Sequence, residues 1–307
     1  MHDDVLADFP YLWDAVCQRY GLRGRSTATR LTGGYANDVL RVDQDGHAPV
    51  VLHIKRPPSS AASMDWEHRL VRAVSTELPE ALAPRPALDG STWFWHNNRP
   101  VWLVPWADGV PAAHADRHAV AVEVGRLHSC GVRVSKRPDH RRLLQLPLPA
   151  VGPYPSEFDA WQPLIHHERG KLGRLVEWID RDRRPMTGLT HNDIFAGNVL
   201  VRGGRVSAVL DWEEAELDWL VWDLASAMLS FCSSQGGELN RDVMNDFVRA
   251  YRAAGGPVPP EEDDLLVPLA RTRLLLEVLR APYDRHPQWD RQLASLRAFT
   301  ILSGTAG

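Results

Sequence analysis

Residues 189–225 read LTHNDIFAGNVLVRGGRVSAVLDWEEAELDWLVWDLA, and this stretch says most about the fold of the chain. Two β-prone runs, NVLV and RVSAVL, are joined by Gly203-Gly204, a pair typical of a two-residue hairpin turn. A turn centred there places Asn198 opposite about position 209. Asn198 and Asp211 then lie diagonally across neighbouring strands, about 7–8 Å apart.

The side chains at the mouth of this hairpin suit phosphoryl transfer. An Asn carbonyl and an Asp carboxylate, here Asn198 and Asp211, are the hard oxygen ligands that Mg²⁺ prefers. Asp193 lies in the loop that leads into the same hairpin, where a free carboxylate would orient or deprotonate an attacking hydroxyl. Each residue alone could merely satisfy a turn or a strand end. All three at one hairpin mouth indicate a site.

Three motifs run through this stretch: H-N-D-x-x-x-x-N from His191 to Asn198, L-D-W-E from Leu210 to Glu213, and W-D-L-A from Trp222 to Ala225. Their order and spacing resemble those of the aminoglycoside phosphotransferase and choline kinase superfamily, in which homoserine kinases of similar motif belong. The resemblance implies a protein-kinase-like fold, with Asp193 as the catalytic base and Asn198 and Asp211 as magnesium ligands. It also implies supporting roles for His191, Glu213 and Asp223.

Those three roles differ. By the resemblance, His191 supports the catalytic loop, Asp223 holds this loop by hydrogen bonds, and Glu213 assists the metal. The acidic run from Asp211 to Asp218 could also attract a cationic acceptor, although a solvated loop has the same composition.

The front of the chain resembles the nucleotide-binding lobe of that superfamily less closely. LTGGYANDVLRV (31–42) is similar to the loop whose backbone N–H groups cover the phosphates, with Gly33 and Gly34 at its turn. An ordinary hairpin gives the same two-glycine pattern. VWLVPWADGVP (101–111) resembles the hinge between the lobes, where backbone groups of Val104 and Trp106 would meet the purine.

The strand VVLHIK (50–55) is where the kinase-like fold places its phosphate-pairing cation. His53 takes that place by register, and Lys55, two residues further on, points the same way. We expect Lys55 to meet the phosphates because its amine stays charged at neutral pH, whereas the imidazole of His53 need not. Glu67, in the next helix, is the expected ion-pair partner of the cation.

Hydrophobic periodicity places the remaining elements. It predicts helices over residues 1–22, 65–75, 114–131, 158–181 (with a candidate interruption near Gly170), 240–254 and 262–281, and β-rich runs over 28–55 and 101–106. We therefore predict an α+β, bilobal protein-kinase-like fold. Residues 1–104 form a small β-rich, nucleotide-binding N-lobe, and residues 105–307 form a larger helical C-lobe with the catalytic loop, the metal site and the acceptor site.

Composition narrows the class of protein further. The 307 residues are 44% hydrophobic and 24% charged, with a formal net charge of −4. These values exclude a disordered chain and a small disulfide scaffold, and they do not favour a nucleic-acid partner. The three cysteines form no CxxC pair, which fits a reducing compartment. With no signal segment and no run near the ~18 apolar residues of a membrane helix, we expect a cytoplasmic monomer or homodimer without a membrane partner.

The residues at the hairpin mouth and the family resemblance together imply an O-phosphotransferase that moves the γ-phosphate of ATP (or GTP), with Mg²⁺, to a hydroxyl of a small, cationic, amine-bearing acceptor. An aminoglycoside or related antibiotic is the leading acceptor, which would make the enzyme one of antibiotic resistance. A metabolic kinase for homoserine, choline or another amino alcohol is the alternative. Two readings of other classes stay open: a catalytically inactive nucleotide-binding module and a metal-dependent hydrolase.

Overall fold

The structure is a computed structural model that describes residues 9–31, 37–56, 59–133, 135–138, 154–234, 239–283 and 288–304. A β-sheet dominates the first 105 residues and helices dominate the rest, which confirms the predicted α+β, kinase-like architecture. The predicted lobe boundary at residue 104 stays a prediction; the last strand of the first sheet ends at Pro105. Across these described ranges, no helix combines the length and the apolar character needed to cross a membrane.

The N-terminal region is one antiparallel sheet with a helix on each side. Its strands follow the order β1-β2-β3-β5-β4. The elements are α1 (Phe9–Tyr20), β1 (Ser26–Arg30), β2 (Asn37–Gln44), β3 (Val50–Lys55), α2 (Ala61–Val74), β4 (Phe94–His96) and β5 (Arg99–Pro105).

The alternation of side chains in β3 decides where the predicted cation points. Leu52 and Ile54 belong to the core that packs against α1. Val51 belongs to a second small core on the opposite face, together with Met64 of α2. Because successive strand residues face opposite sides, His53 and Lys55 lie on the same face as Val51, toward α2.

The described part of the C-terminal region is mostly helical and includes two small sheets, β6-β8-β9 and β7-β10. Its helices are α3 (Arg117–Ser129), α4 (Gln162–Trp178), α5 (Leu220–Cys232), α6 (Arg241–Ala253), α7 (Leu266–Arg280) and α8 (Trp289–Gly304). Its strands are β6 (Val110–Pro111), β7 (Thr187–Thr190), β8 (Val199–Arg202), β9 (Arg205–Val209) and β10 (Glu216–Trp219).

Close packing of α3 on α6 depends on a glycine. A Cβ atom placed on Gly125 would lie 2.4 Å from the carbonyl oxygen of Tyr251, which is closer than atoms of this kind can approach. This contact sets the position of the neighbouring His128, one turn further along α3, against the helix that carries Tyr251.

The β8–β9 hairpin has the predicted Gly-Gly turn but a different register. Gly203 and Gly204 have φ angles of +59° and +75°, as a two-residue turn with both central residues left-handed requires. An irregularity after Leu200 shifts the pairing, so that Val199 faces Val209. Asn198 therefore lies opposite Leu210, one residue further than the expected position 209, because a β-bulge adds one residue to a strand.

Each of the six predicted helices has a counterpart with shifted ends, and one expected break is absent. Helix α4 runs without interruption through Gly170. Helix α5 was not predicted because it is apolar around most of its circumference and nearly all its residues are buried, so that it lacks the amphipathic period that marks a surface helix. Residues 1–8, the start of the first predicted helix, and residues 139–153 lie outside the described ranges.

Candidate active site

The loop after β7 is held in place by the buried carboxylate of Asp223. Asp223, in the first turn of α5, is fully buried. It accepts hydrogen bonds from the backbone N–H of His191 (2.7 Å) and of Asn192 (2.8 Å) and lies 3.1 Å from Nε2 of His128. Burial acts to raise the pKa of Asp223, but these donors and the nearby imidazoles outweigh it and lower that pKa. Asp223 therefore stays ionised and fixes the loop.

His191 connects the loop to the end of β9. Its Nδ1 accepts from the backbone N–H of Asp193 (3.3 Å), so Nε2 carries the proton that it donates to the carbonyl oxygen of Leu210 (3.0 Å). The imidazole is fully buried, and burial lowers its pKa. A neutral His191 with this tautomer links the loop that holds Asp193 to the residue that precedes Asp211.

Asp193 and Asn198 contact each other directly. Nδ2 of Asn198 donates to Oδ2 of Asp193 (2.9 Å) and to its backbone oxygen (3.0 Å). Because the amide nitrogen of Asn198 faces Asp193, its carbonyl oxygen is the side-chain atom left for another partner. The other carboxylate oxygen of Asp193, Oδ1, accepts from Nη2 of Arg273 (3.1 Å). The Asp193 side chain remains 26% exposed, so a substrate hydroxyl can reach it.

Asp211 follows β9 and lies beside Asn198, whose backbone oxygen accepts from the N–H of Leu210 (2.8 Å). Its φ of +60° is left-handed, a conformation that Asp tolerates better than most residues. Asp211 is exposed to solvent at the hairpin mouth, yet many protein atoms lie around its carboxyl group. Burial raises its pKa well above the usual value, and the carboxylates of Glu213, Asp193 and Glu67 raise it further.

Lys55 forms ion pairs with two of those carboxylates. Its Nζ lies 3.1 Å from Oε2 of Glu67 on α2 and 3.2 Å from Oε2 of Glu213. Burial acts to lower the pKa of Lys55, but the two carboxylates outweigh it and raise that pKa. The ammonium is therefore charged at neutral pH and links β3, α2 and the segment that follows Asp211.

His53 has a different environment from Lys55. Its ring stacks on Trp102 with centroids 4.8 Å apart and planes 12° apart. Burial, with the nearby Lys55 charge, lowers the pKa of His53 to about 4. The imidazole is thus neutral at pH 7. Of the two candidates in β3, only Lys55 brings a positive charge to the carboxylates around Asp211.

The hinge region departs from the expectation. Val104 pairs with Val51 within the sheet, and the backbone N–H of Trp106 donates to the carbonyl oxygen of Pro49 (3.2 Å). That bond occupies the backbone donor of Trp106, one of the groups that were expected to meet the purine, because the strand pairing continues one residue past β5. The glycines of the expected phosphate loop, Gly33 and Gly34, lie outside the described residues.

Some residues that reach this site were not predicted from the sequence. His128 and Arg273 come from helices distant in the chain, α3 and α7. A signal for Arg273 does exist: Arg273, Glu277 and Arg280 are partly exposed at spacings of four and three in a helix that is otherwise rich in buried leucine. Such a polar stripe marks one helix face, but not what that face contacts.

The donor set at the hairpin mouth suits a magnesium ion that also binds phosphate. Within the described residues, no three His, Cys, Asp or Glu side chains form a metal cluster on their own. Mg²⁺ is commonly held by one or two protein oxygens, with water and substrate phosphates completing the shell. The carbonyl of Asn198 and the carboxylate of Asp211 can supply two such oxygens, and a cation would relieve the crowding of negative charge that raises the pKa of Asp211.

Comparison with known proteins identifies relatives of this sequence. Residues 27–259 match the family model described as the phosphotransferase enzyme family. A homoserine kinase of Methylobacterium sp. (strain 4-46) is 31% identical over 219 residues, 66% of this chain and 67% of that protein. A homoserine kinase of Parvibaculum lavamentivorans is 28% identical over 197 residues, 62% of this chain and 60% of that protein. Another, of Methylobacterium nodulans, is 28% identical over 168 residues, 53% of this chain and 51% of that protein.

Solved structures of similar fold are more distant in sequence. An amicoumacin kinase in complex with AMP-PNP, Ca²⁺ and Ami superposes with a TM-score of 0.74 at 16% identity, covering 99% of this chain and 96% of that one. A microcompartment-associated aminopropanol kinase gives a TM-score of 0.71 at 17% identity, covering 96% and 95%. These likenesses concern the fold alone.

Proposed function

The chain belongs to the phosphotransferase enzyme family and is an ATP-dependent phosphotransferase, and we propose that it transfers the γ-phosphate to a hydroxyl of a small, amine-bearing acceptor. One observation carries this proposal. A carboxylate that can act as base, Asp193, contacts Asn198, and Asn198 lies beside Asp211 at the mouth of one hairpin. Lys55 faces the same group of carboxylates from β3.

In the proposed reaction, Asp193 accepts the proton of the acceptor hydroxyl. The hydroxyl oxygen forms a bond to the γ-phosphorus as the bond from that phosphorus to the β–γ bridging oxygen breaks, and ADP leaves. Asn198 holds the Asp193 carboxylate in place through Nδ2, while Asp223 fixes the backbone of the loop. The protein therefore contributes mainly position and charge, which is what this chemistry requires.

The carbonyl oxygen of Asn198 and the carboxylate of Asp211 would hold a magnesium ion, which, when bound, neutralises charge on the β- and γ-phosphates. On the opposite side, Lys55 would exchange its contact with Glu213 for a phosphate oxygen while Glu67 keeps the ammonium in place. ATP is the proposed donor, with GTP as the alternative.

The acceptor is proposed as an amine-bearing alcohol because two partly exposed carboxylates, Glu213 and Glu214, follow the proposed metal ligand. Glu216 and Asp218, further along the same acidic run, are buried and cannot contact an acceptor. An aminoglycoside or related antibiotic remains one candidate. L-Homoserine is the second, and the curated relatives favour it, since they are homoserine kinases. We therefore place L-homoserine first among the acceptors to be tested.

The test is phosphorylation of an acceptor panel followed by mass spectrometry. Purified protein is incubated with Mg²⁺ and ATP or GTP, and with L-homoserine, choline, aminopropanol, aminoglycosides or peptide antibiotics. The expected result is gain of one phosphoryl group by an amine-bearing alcohol, abolished by a chelator. Nucleotide binding without transfer to any acceptor would favour an inactive module. Release of inorganic phosphate alone would favour a hydrolase.

A further inference from the structure

An arginine outside the stretch that matches the family model contacts the proposed base from the side of the C-terminal helices. Arg273 lies on α7, beyond residue 259 where the family match ends. Its Nη2 donates to Oδ1 of Asp193 (3.1 Å), and its Nη1 donates to the backbone oxygen of Asn192 (3.1 Å). We propose that Arg273 is a positioning residue that acts through Asp193; this inference rests on the proposed function of Asp193 as the base.

Arg273 completes the set of contacts around the Asp193 carboxylate. Among the described residues, Oδ2 is held by Asn198 and Oδ1 by Arg273. Because each oxygen has its own partner, the carboxylate plane cannot rotate freely. The guanidinium also binds the carbonyl of Asn192, whose N–H is bound by Asp223. The peptide units on either side of Asn192 are therefore held both from α5 and from α7.

Arg273 is itself held firmly enough to do this. The residues on either side of it in α7, Thr272 and Leu274, are 4% and 7% exposed, so the helix cannot turn without losing its core contacts. Glu277, one turn later, lies 3.6 Å from Nε of Arg273. Burial acts to lower the pKa of Arg273, but the carboxylates of Glu277 and Asp193 outweigh it, so the charge persists.

Lys55 and Arg273 approach this group of carboxylates from different parts of the fold. Lys55 pairs with Glu67 and Glu213 on the side of the N-terminal sheet, where the phosphates are proposed to bind. Arg273 pairs with Asp193 on the side of the C-terminal helices. The Nη1 and Nη2 groups of Arg273 both donate to the loop that carries Asn192 and Asp193. These contacts favour a role in holding the proposed base over direct binding of nucleotide.

A double-mutant cycle tests the proposal. The assay uses the acceptor that the wild type phosphorylates, and L-homoserine is the first one tried. In this assay, kcat and the KM for ATP are measured for the wild type, Arg273→Gln, Asp193→Asn and the double variant. We expect Arg273→Gln to lower kcat by about 10–100-fold, since misplacement of a catalytic group by 1 Å costs on the order of 10²-fold. The KM for ATP should change less than about twofold. In the Asp193→Asn background, the same substitution should lower kcat by less than about threefold.

Arg271→Gln is the matched control, because Arg271 lies on the same helix but contacts Glu168 and the ring of Phe299. It should leave kcat unchanged. Arg273→Lys keeps the positive charge but loses the two-pronged donation by Nη1 and Nη2. It should give an intermediate kcat even if Arg273→Gln does not fold. Thermal unfolding of each variant gives its fraction of folded protein and so shows whether the decrease in kcat exceeds what unfolding alone would cause.

The outcomes separate the two proposals. An active wild type with an equally active Arg273→Gln variant would overturn the role of Arg273 alone. Equal losses in the wild-type and Asp193→Asn backgrounds would also overturn it, because Arg273 would then act independently of Asp193. A wild type that phosphorylates no acceptor would overturn the proposed function, and the positioning role with it.

Discussion

The backbone N–H of Leu210 donates a 2.8 Å hydrogen bond to the carbonyl oxygen of Asn198 across the open end of the β8–β9 hairpin. This bond brings Asn198 next to Asp211, although thirteen positions separate them along the chain. The same end of the hairpin receives Nε2 of His191, which donates to the carbonyl oxygen of Leu210 (3.0 Å). Leu210 therefore ties together the segments that hold the proposed base and the proposed metal ligands.

Removal of either proposed ligand should weaken the binding of magnesium. Asn198→Ala and Asp211→Asn are expected to raise the Mg²⁺ concentration for half-maximal activity by about 10–100-fold or more, since loss of even an outer-shell partner typically costs that much. The measurement is a Mg²⁺ titration of initial rates at fixed ATP, with Glu177→Gln on the exposed face of α4 as the control. Unchanged metal dependence in both variants would reject the ligand assignment.

Lys55 and His53 should respond very differently to substitution. A hydrogen bond to a charged group contributes about 1.5–3 kcal/mol, and each 1.4 kcal/mol is about a factor of ten in rate. Lys55→Met should therefore lower kcat/KM for ATP by about 10–100-fold. His53→Gln should lower it by less than about threefold, because the neutral imidazole stacks on Trp102.

Lys55→Arg serves as the control for charge. If it restores much of the loss seen with Lys55→Met, the positive charge is what the nucleotide requires. A larger loss for His53→Gln than for Lys55→Met would reverse the assignment of the phosphate cation.

Acid should destabilise the N-terminal region through two histidines, the partly buried His53 and the buried His68. Burial is the main cause that lowers the pKa of His53 to about 4 and of His68 to about 3. The unfolded chain takes up protons near pH 6.5, whereas these folded sites do not, so protonation favours the unfolded state below that pH. Stability is therefore fully present above pH 6.5 and is lost as pH falls toward 4, by up to about 1.4 kcal/mol per pH unit for each histidine.

Urea unfolding between pH 7.5 and 4.5 measures this dependence. His53→Gln should reduce the slope of the unfolding free energy against pH, while the exposed His166→Gln on α4 controls for loss of a histidine as such. An identical slope for the wild type and His53→Gln would contradict the neutral state of His53 in the folded protein.

The proximity of Asn198 and Asp211 could be predicted from the sequence because it depends on a short hairpin with a recognisable turn. The Gly-Gly turn requires two left-handed residues, and the structure has them at Gly203 and Gly204. The neighbourhood of Asn198 and Asp211 followed from that turn. The one-residue error in register came from the irregularity after Leu200, which depends on packing and has no sequence signature.

Long-range contacts were not predictable from the chain alone. The engagement of the Trp106 N–H by Pro49 depends on how far strand pairing extends past β5. Arg273 shows a polar stripe on its helix, but its contact with Asp193, eighty positions away, depends on how α7 packs against the rest of the C-terminal region. Periodicity identifies the face of a helix and not its partner.

The most direct test of the central claim compares phosphoryl transfer by the wild type and by Asp193→Ala. Transfer of the labelled γ-phosphate from ATP to the acceptor is followed under saturating Mg²⁺, and nucleotide affinity is measured in parallel. We predict that kcat falls by roughly 10²–10⁴-fold while nucleotide affinity stays nearly unchanged. Transfer at the wild-type rate by Asp193→Ala would contradict the assignment of Asp193 as the base.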